Sequence, residues 1–327
     1  MLQREAVGQR LLSWGQLRKR LFGFSPDEAK FTRRGFRACD PEAQWRLEHI
    51  GETFLLGYEA ALEEEDSAAL AGRLEGTAAE FRGFAFEGAS MGLSLLDGLT
   101  PWRRDRWPSF MNEFGAPHIY MMYVGVGWVL ARLRQRTAPR LSRLDPLLRW
   151  LALDGYGFHE GYFRWPLYIE GQKVPRRLRG YARRAFDQGL GRSIWFVKGA
   201  NPGLIPRTIA SFSPTRRADL WSGIGLACAY AGGADGAAVA TLPRAAGLYR
   251  AHLAQGAAFA AKTRQRAGNP APHTELACQA LCGCSAERAA GVTDDCLRGL
   301  PGDGQAPAYE HWRQRIQATF ALEVIRA

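Results

Sequence analysis

LDPLLRWLALDGYGFHEGYFRW, residues 144–165, opens as a helix should and then departs from an ordinary one. Asp145 is placed as an N-cap and Pro146 at the first helical position, with Leu147 and Leu148 following. Gly155, Gly157 and Gly161 then fall inside the same helix, although each costs about 1 kcal/mol against alanine. Such glycines serve close packing or access to a ligand. They are interleaved with aromatic residues and with Asp154, His159 and Glu160.

Working outward, most of the chain reads the same way. Gln44–Leu62 carries Trp45, Leu47, Ile50, Phe54, Leu55, Tyr58 and Leu62 at helical spacing. Further helices are expected at about 68–76, 77–96, 119–134, 175–197, 215–231, 243–266, 272–283 and 308–324, with an extended or turn-like stretch at 166–174. No alternating run is long enough for a sheet. The expected fold is all-α, a multi-helix bundle or an irregular α-solenoid built from degenerate helical hairpins. Residues 1–45 form a basic amphipathic helix and connector. Residues 46–327 form a single α-helical domain with repeats at about 46–98, 119–165 and 215–266.

The hairpins rest on glycines. Gly57-Tyr58, Gly127-Trp128 and Gly225-Leu226 are followed by helices with an acid or amide before glycine: Glu87-Gly88, Glu160-Gly161 and Gln255-Gly256. The offsets between these glycines are 31, 34 and 31 residues. Gln188-Gly189 repeats the second half, as an extra helix inserted after the second hairpin.

At 327 residues, 46% apolar and 11% aromatic, the chain can bury a sizeable core. The net charge of +11 comes mostly from arginine and has no zinc-finger or helix-turn-helix spacing beside it, so nucleic acid is not an expected partner. The first residues, MLQREAVGQRLLSWGQLRKRLFGF, lack the apolar run and cleavage site of a secretory signal. They read as a basic helix docked on its own domain, with peripheral membrane contact as the alternative. The apolar run 119–133 is shorter than the roughly 20 residues of a spanning helix. Six cysteines in such a chain are expected reduced, in a cytoplasmic protein.

His159 is the candidate acid or base, with Asp154 and Glu160 to orient or polarise. Glu87, Phe86, Tyr156, Tyr162, Gln188, Trp195 and Gln255 are the candidate ligand-binding residues, framing a long apolar slot between glycine-rich helices. A tightly packed core is the alternative for each of them. No metal site is expected: His159 and Glu160 are adjacent and point apart on a helix, and Cys278, Cys282 and Cys284 lack a fourth ligand nearby. No cofactor is evident, since phosphate-loop and nucleophile-elbow motifs are missing.

FEGASMGLSLLDGLTPW, RWLALDGYGFHEGYF, RRAFDQGLGRSIWF, RRADLWSGIGLACAYAGG and HLAQGAAFAAKTRQRAGN resemble segments of the bacterial domain of unknown function 1702 family, over about residues 5–320. Its members in enediyne gene clusters are called UnbL-like proteins. The resemblance implies an accessory role in enediyne-type polyketide biosynthesis, acting on a linear conjugated polyene or polyyne intermediate. It carries no catalytic assignment, and whether the protein is an enzyme stays open. The alternative is a non-catalytic helical-repeat scaffold bridging the iterative polyketide synthase and membrane partners through basic surfaces around Arg18–Arg20 and Arg176–Arg184.

Overall fold

The computed structural model describes residues 13–38, 40–100, 102–133 and 137–326, and these hold helices and no strand. Seven long helices carry the fold: α1 (Pro41–Glu63), α2 (Ala79–Leu99), α3 (Ile119–Arg132), α4 (Arg149–Phe163), α5 (Tyr181–Val197), α6 (Pro214–Ala231) and α7 (Arg250–Arg266). Each packs on the next. A further helix, α8 (Ala308–Arg326), lies against α7.

Paired residue numbers rise together across every junction. Along α4 and α5, Trp150 meets Tyr181, Tyr156 meets Phe186, and Phe158 meets Phe196. Arg46 of α1 bonds Glu80, and Gly92 of α2 packs on Ala61. Neighbours are therefore parallel, and each connection must run back along the array before the next helix begins. The connections carry short helical turns, among them Ser67–Glu75, Arg106–Phe110, Pro166–Glu170 and Ile205–Ala210.

The glycines explain why the helices sit so close. Five junctions share a reciprocal contact. Gly155 of α4 lies against the carbonyl of Val124, and Gly127 of α3 against that of Ala152. Gly189 of α5 faces Asp154, and Gly157 faces Phe186. Gly223 and Gly191 do the same with Gln188 and Leu220, Gly256 and Gly225 with Ser222 and Leu253, and Gly88 and Gly57 with Phe54 and Ala85. At each, a Cβ would overlap a backbone oxygen. Residues i and i+2 of a helix are about 200° apart, so a Gly-x-Gly pair places one glycine against each neighbour. At the junction of α2 and α3, Ser90 stands where the second glycine would be and donates its hydroxyl to the carbonyl of Met122.

The repeat unit is thus one helix and its return connection. Taking the first contact glycine of α2 to α7 (88, 125, 155, 189, 223, 256), the spacing is 30 to 37 residues. The helices of the three expected hairpins do face one another, but they run parallel, and α5 is a regular member of the row. The register of α4 also differs from expectation. Its equivalent polar-before-glycine pair is Asp154-Gly155; Gly161 instead meets Ser193 and Leu190 further along α5.

The row curls until its late helices reach its start. Arg264 of α7 donates to the carbonyls of Glu80 (2.6 Å) and Tyr230 (2.6 Å), and Arg46 donates to that of Ala231 (2.5 Å). The larger of two hydrophobic clusters among the described residues runs from Ala29 to Phe320.

Boundaries moved where backbone chemistry dictates. Asp145 caps the N–H groups of Leu147 and Leu148 (both 2.9 Å), yet the regular helix begins only at Arg149. Gly180 and Gly247 have positive φ and end the turns before α5 and α7, so those helices start later than their periodicity suggests. Of the extended and turn-like alternatives for the stretch from 166, Pro166–Glu170 takes the turn-like one, as a π turn. Ser285 caps an unexpected helix, Ala286–Leu297. The apolar run of α3 extends upstream to Arg106 through a π turn. At 27 residues this helix is long and apolar enough to cross a membrane, and 72% of its 18-residue apolar stretch is buried inside the protein.

The N-terminal helix is described over Trp14–Phe22, with a capping box of Ser13 and Gln16; the expected positions Arg10, Leu11 and Leu12 lie outside the described residues. It docks on α1: Gly15 meets the backbone of Glu63, and Lys19 pairs with Glu59 (2.9 Å) and Glu63 (2.8 Å).

Candidate functional site

In this register the residue before each first contact glycine faces the inside of the ring, and so does the residue three after it. The first set is Glu87, Val124, Asp154, Gln188, Ser222 and Gln255; the second includes Trp128, Phe158, Arg192, Leu226 and Phe259. They are about 40° apart on a helix and form one stripe.

At the centre of the stripe is Arg192, fully within the core, paired with Asp154. The other Asp154 oxygen accepts from Gln188 Nε2 (2.8 Å). The amide continues the network: Tyr309 of α8 lies 3.3 Å from Gln188 Nε2, and Ser222 donates to Gln255 Oε1 (2.9 Å), which also receives Arg313 (3.1 Å). Arg313 then joins Asp219 (2.8 Å) and Glu310 (3.2 Å). A buried guanidinium is tolerable only with such partners.

Glu87 is different. Its Oε1 accepts from Trp128 Nε1 (2.9 Å), and it makes no ion pair among the described residues. Burial pushes its pKa up to about 7, against the opposing pull of Arg192 and Trp128; the nearby Asp154 charge raises it further. A carboxyl poised there can hold or release a proton at neutral pH. Tyr230, whose ring stacks edge-on with Phe84, places its hydroxyl in the same interior without a hydrogen-bond partner. Gly83 makes room for it, since a Cβ there would overlap the hydroxyl.

Two narrow apolar cavities flank Arg192. One is lined by Val124, Leu151, Asp154, Leu226, Tyr230 and Phe259, and the other by Phe54, Phe84, Glu87, Trp128, Phe158 and Phe196. They hold about 30 Å³ and 40 Å³, room for one or two waters each. The expected single slot is therefore divided: the aromatic residues fill it, and a long ligand must displace side chains to enter.

His159 and Glu160 are placed elsewhere on α4. They line an outer cleft of about 350 Å³ with Arg132 and Arg164, which shares Glu28 and Phe163 with the second cavity. Burial drives the His159 pKa down to about 3, helped by Arg132 and Arg164, so the ring is neutral. Its Nδ1 has no hydrogen-bond partner, and it packs edge-on against Trp128. Glu160 pairs with Arg164 (3.2 Å). The structure thus brings Glu87, Asp154, Gln188 and Gln255 into one buried polar interior and separates His159 and Glu160 from it by the Trp128 and Phe163 rings.

Of the remaining expected ligand contacts, Tyr162 lines the second cavity. Phe86 faces the other way, stacked on His118 (4.1 Å) in a separate cluster with Phe110. Tyr156 packs on Phe186, and Trp195 is buried with its Nε1–H on the carbonyl of Gly232 (2.8 Å). Arg192, Trp128 and Tyr230 were not singled out from the sequence as polar groups of the site. The pattern that marks the first two is a Gly-x-Gly pair with a polar or aromatic residue three after its first glycine.

Among the described residues no group of three or more His, Cys, Asp or Glu side chains is placed to hold a metal ion. Cys278 and Cys282 are buried against α7, with the Cys282 thiol 3.3 Å from the carbonyl of Ala254; Cys39 lies outside the described residues. Basic residues expected to form contact surfaces are partly spent inside the fold: Arg18 pairs with Glu65 (2.6 Å), and Arg184 with Asp219 (3.0 Å) and Glu310 (2.7 Å).

A family model described as a protein of unknown function (DUF1702) matches residues 13–320. No curated protein and no solved structure matches the chain.

Proposed function

The chain belongs to the DUF1702 family, and we propose that it serves as an accessory protein of enediyne-type polyketide biosynthesis, in the manner of UnbL-like proteins, by binding a linear conjugated polyene or polyyne inside the helix ring. The observation that carries this reading is the alignment of two apolar cavities about a single polar centre. Aromatic walls at Phe54, Trp128 and Phe158 on one side and Phe259 on the other suit a flat, slender, polarizable molecule. The cleft beside His159 shares its walls with the second cavity and is the natural entrance. Glu87, Arg192 and Tyr230 would then meet the middle of the chain, where the Glu87 carboxyl can give a proton to an unsaturated carbon framework when neutral and its carboxylate can take one when ionised.

Within this reading Glu87 is the proton-handling group, Asp154 holds Arg192 in place, and His159 with Glu160 belongs to the entrance. A fluorescent conjugated tetraene fatty acid tests it. Saturable binding with increased fluorescence is expected, weakened at least tenfold in Leu226→Trp, which fills one cavity, while the far-ultraviolet circular dichroism stays unchanged. Equal binding by that folded variant would contradict the site. If the protein is catalytic, product should be lost in Glu87→Gln and kept in His159→Ala; the reverse pattern would move the chemistry to the entrance.

A further inference from the structure

A second cleft, of about 480 Å³, lies at the C-terminal end of α2, away from the ring interior. Its walls are of two kinds. Trp107, Val126 and Leu144 supply apolar surface, while Arg104, Arg140 and Arg143 supply charge.

Arg140 is the most constrained of the three. It is half-buried, one end of its guanidinium donates to the carbonyl of Ser94 (3.0 Å), and the other, Nη1, is buried without a partner. The head lies over Gly98, where a Cβ would stand 3.2 Å from Nη2. No carboxylate among the described residues forms an ion pair with Arg104, Arg140 or Arg143. The one acid in the cleft wall, Asp97, is already committed. Its oxygens accept from the backbone N–H of Trp107 (2.9 Å) and Arg106 (3.2 Å), and the Arg106 side chain pairs with it (3.4 Å).

Burial, together with the charges of Arg143 and Arg104, pulls the Arg140 pKa down, with Asp97 opposing. Three cations converging on an apolar-walled space, with an orphaned N–H among them, form an uncompensated positive pocket. Guanidinium forks match the oxygens of a phosphoryl group, whose double charge and three terminal oxygens engage a cluster of them more strongly than the single charge and two oxygens of a carboxylate.

We propose that this cleft binds an organic phosphate monoester, with its phosphoryl group on Arg140 and Arg143 and its apolar portion against Trp107 and Leu144. The site is independent of the ring interior, and its cleft, unlike the two inner cavities, is of the size that holds a small ligand.

Calorimetric titration of the full chain with phenyl phosphate, phenol and benzoate tests it. Phenyl phosphate should bind saturably at one site, more weakly as salt rises. Phenol should not bind, and benzoate should bind several-fold more weakly than the phosphate. Arg140→Met should weaken phenyl phosphate at least tenfold and Arg143→Gln several-fold. Arg143 is exposed, so Arg143→Gln decides the matter should Arg140→Met fail to fold. No saturable binding, unchanged binding in Arg143→Gln, or tighter binding of benzoate would each overturn the proposal.

Discussion

Glu87 and Asp154 occupy the same repeat position, one on α2 and one on α4, and their surroundings set them apart. Asp154 faces α5, which offers Arg192 and Gln188. Glu87 faces α3, which offers only the Trp128 indole N–H. The backbone register is common to both; what differs is the residue that the next helix brings. The repeat therefore places a row of inward polar positions, and the neighbour's side chain decides whether each becomes a structural ion pair or a protonatable group.

Removing the partner of Asp154 should do the most damage. Arg192→Met leaves a buried carboxylate without its cation, which costs about 3–5 kcal/mol when one partner of such a pair is removed. Urea unfolding should show the loss; a change under about 1 kcal/mol would mean that Asp154 has another route to compensation.

Glu87 should show its difference through pH. Its folded pKa of about 7 lies above the ordinary 4.5, so the protonated form stabilises the fold. That contribution is complete below about pH 4.5 and is lost as pH rises through 7. Relative to Glu87→Gln, the wild type should lose about 3 kcal/mol across this window, at roughly 1.4 kcal/mol per pKa unit. The difference between the two proteins is the quantity to measure, because the depressed His159 acts in the opposite sense in both and cancels. Parallel stability curves for the two proteins would show that Glu87 is not perturbed.

The shared register can be broken directly. Gly155→Ala puts a methyl into the carbonyl of Val124 and should cost about 1–3 kcal/mol, as overpacking of a close junction does. Gly72, in the short helix Ser67–Glu75, has open space around its Cβ position. Gly72→Ala should raise stability by up to about 1 kcal/mol, from helix propensity alone. Opposite signs at these two helical glycines in thermal melts would separate packing glycines from incidental ones.

Much of the architecture was legible before the structure. Helical spacing and caps place the long helices, and the recurrence of an acid or amide before glycine points to Glu87, Gln188 and Gln255. The unit itself was harder to see. α4 carries three glycines, and the pairing of Glu160-Gly161 with its counterparts was as good in sequence as Asp154-Gly155. Only the contact of Gly155 with Val124 and of Gly189 with Asp154 shows which one lies at the junction. That shift of six residues moves His159 and Glu160 from the interior to the outer cleft. The parallel direction of neighbouring helices was not legible either, because it depends on connections whose path back along the array leaves no periodic signal.

In its buried interior Glu87 holds its proton up to about pH 7. Carbon-13 NMR of glutamate-labelled protein, titrated from pH 4 to 9, tests it most directly. One carboxyl resonance should titrate with a midpoint near 7, vanish in Glu87→Gln, and shift when the conjugated tetraene is added. A full set of glutamates titrating in the ordinary range near 4.5, with no resonance lost near 7, would contradict the account.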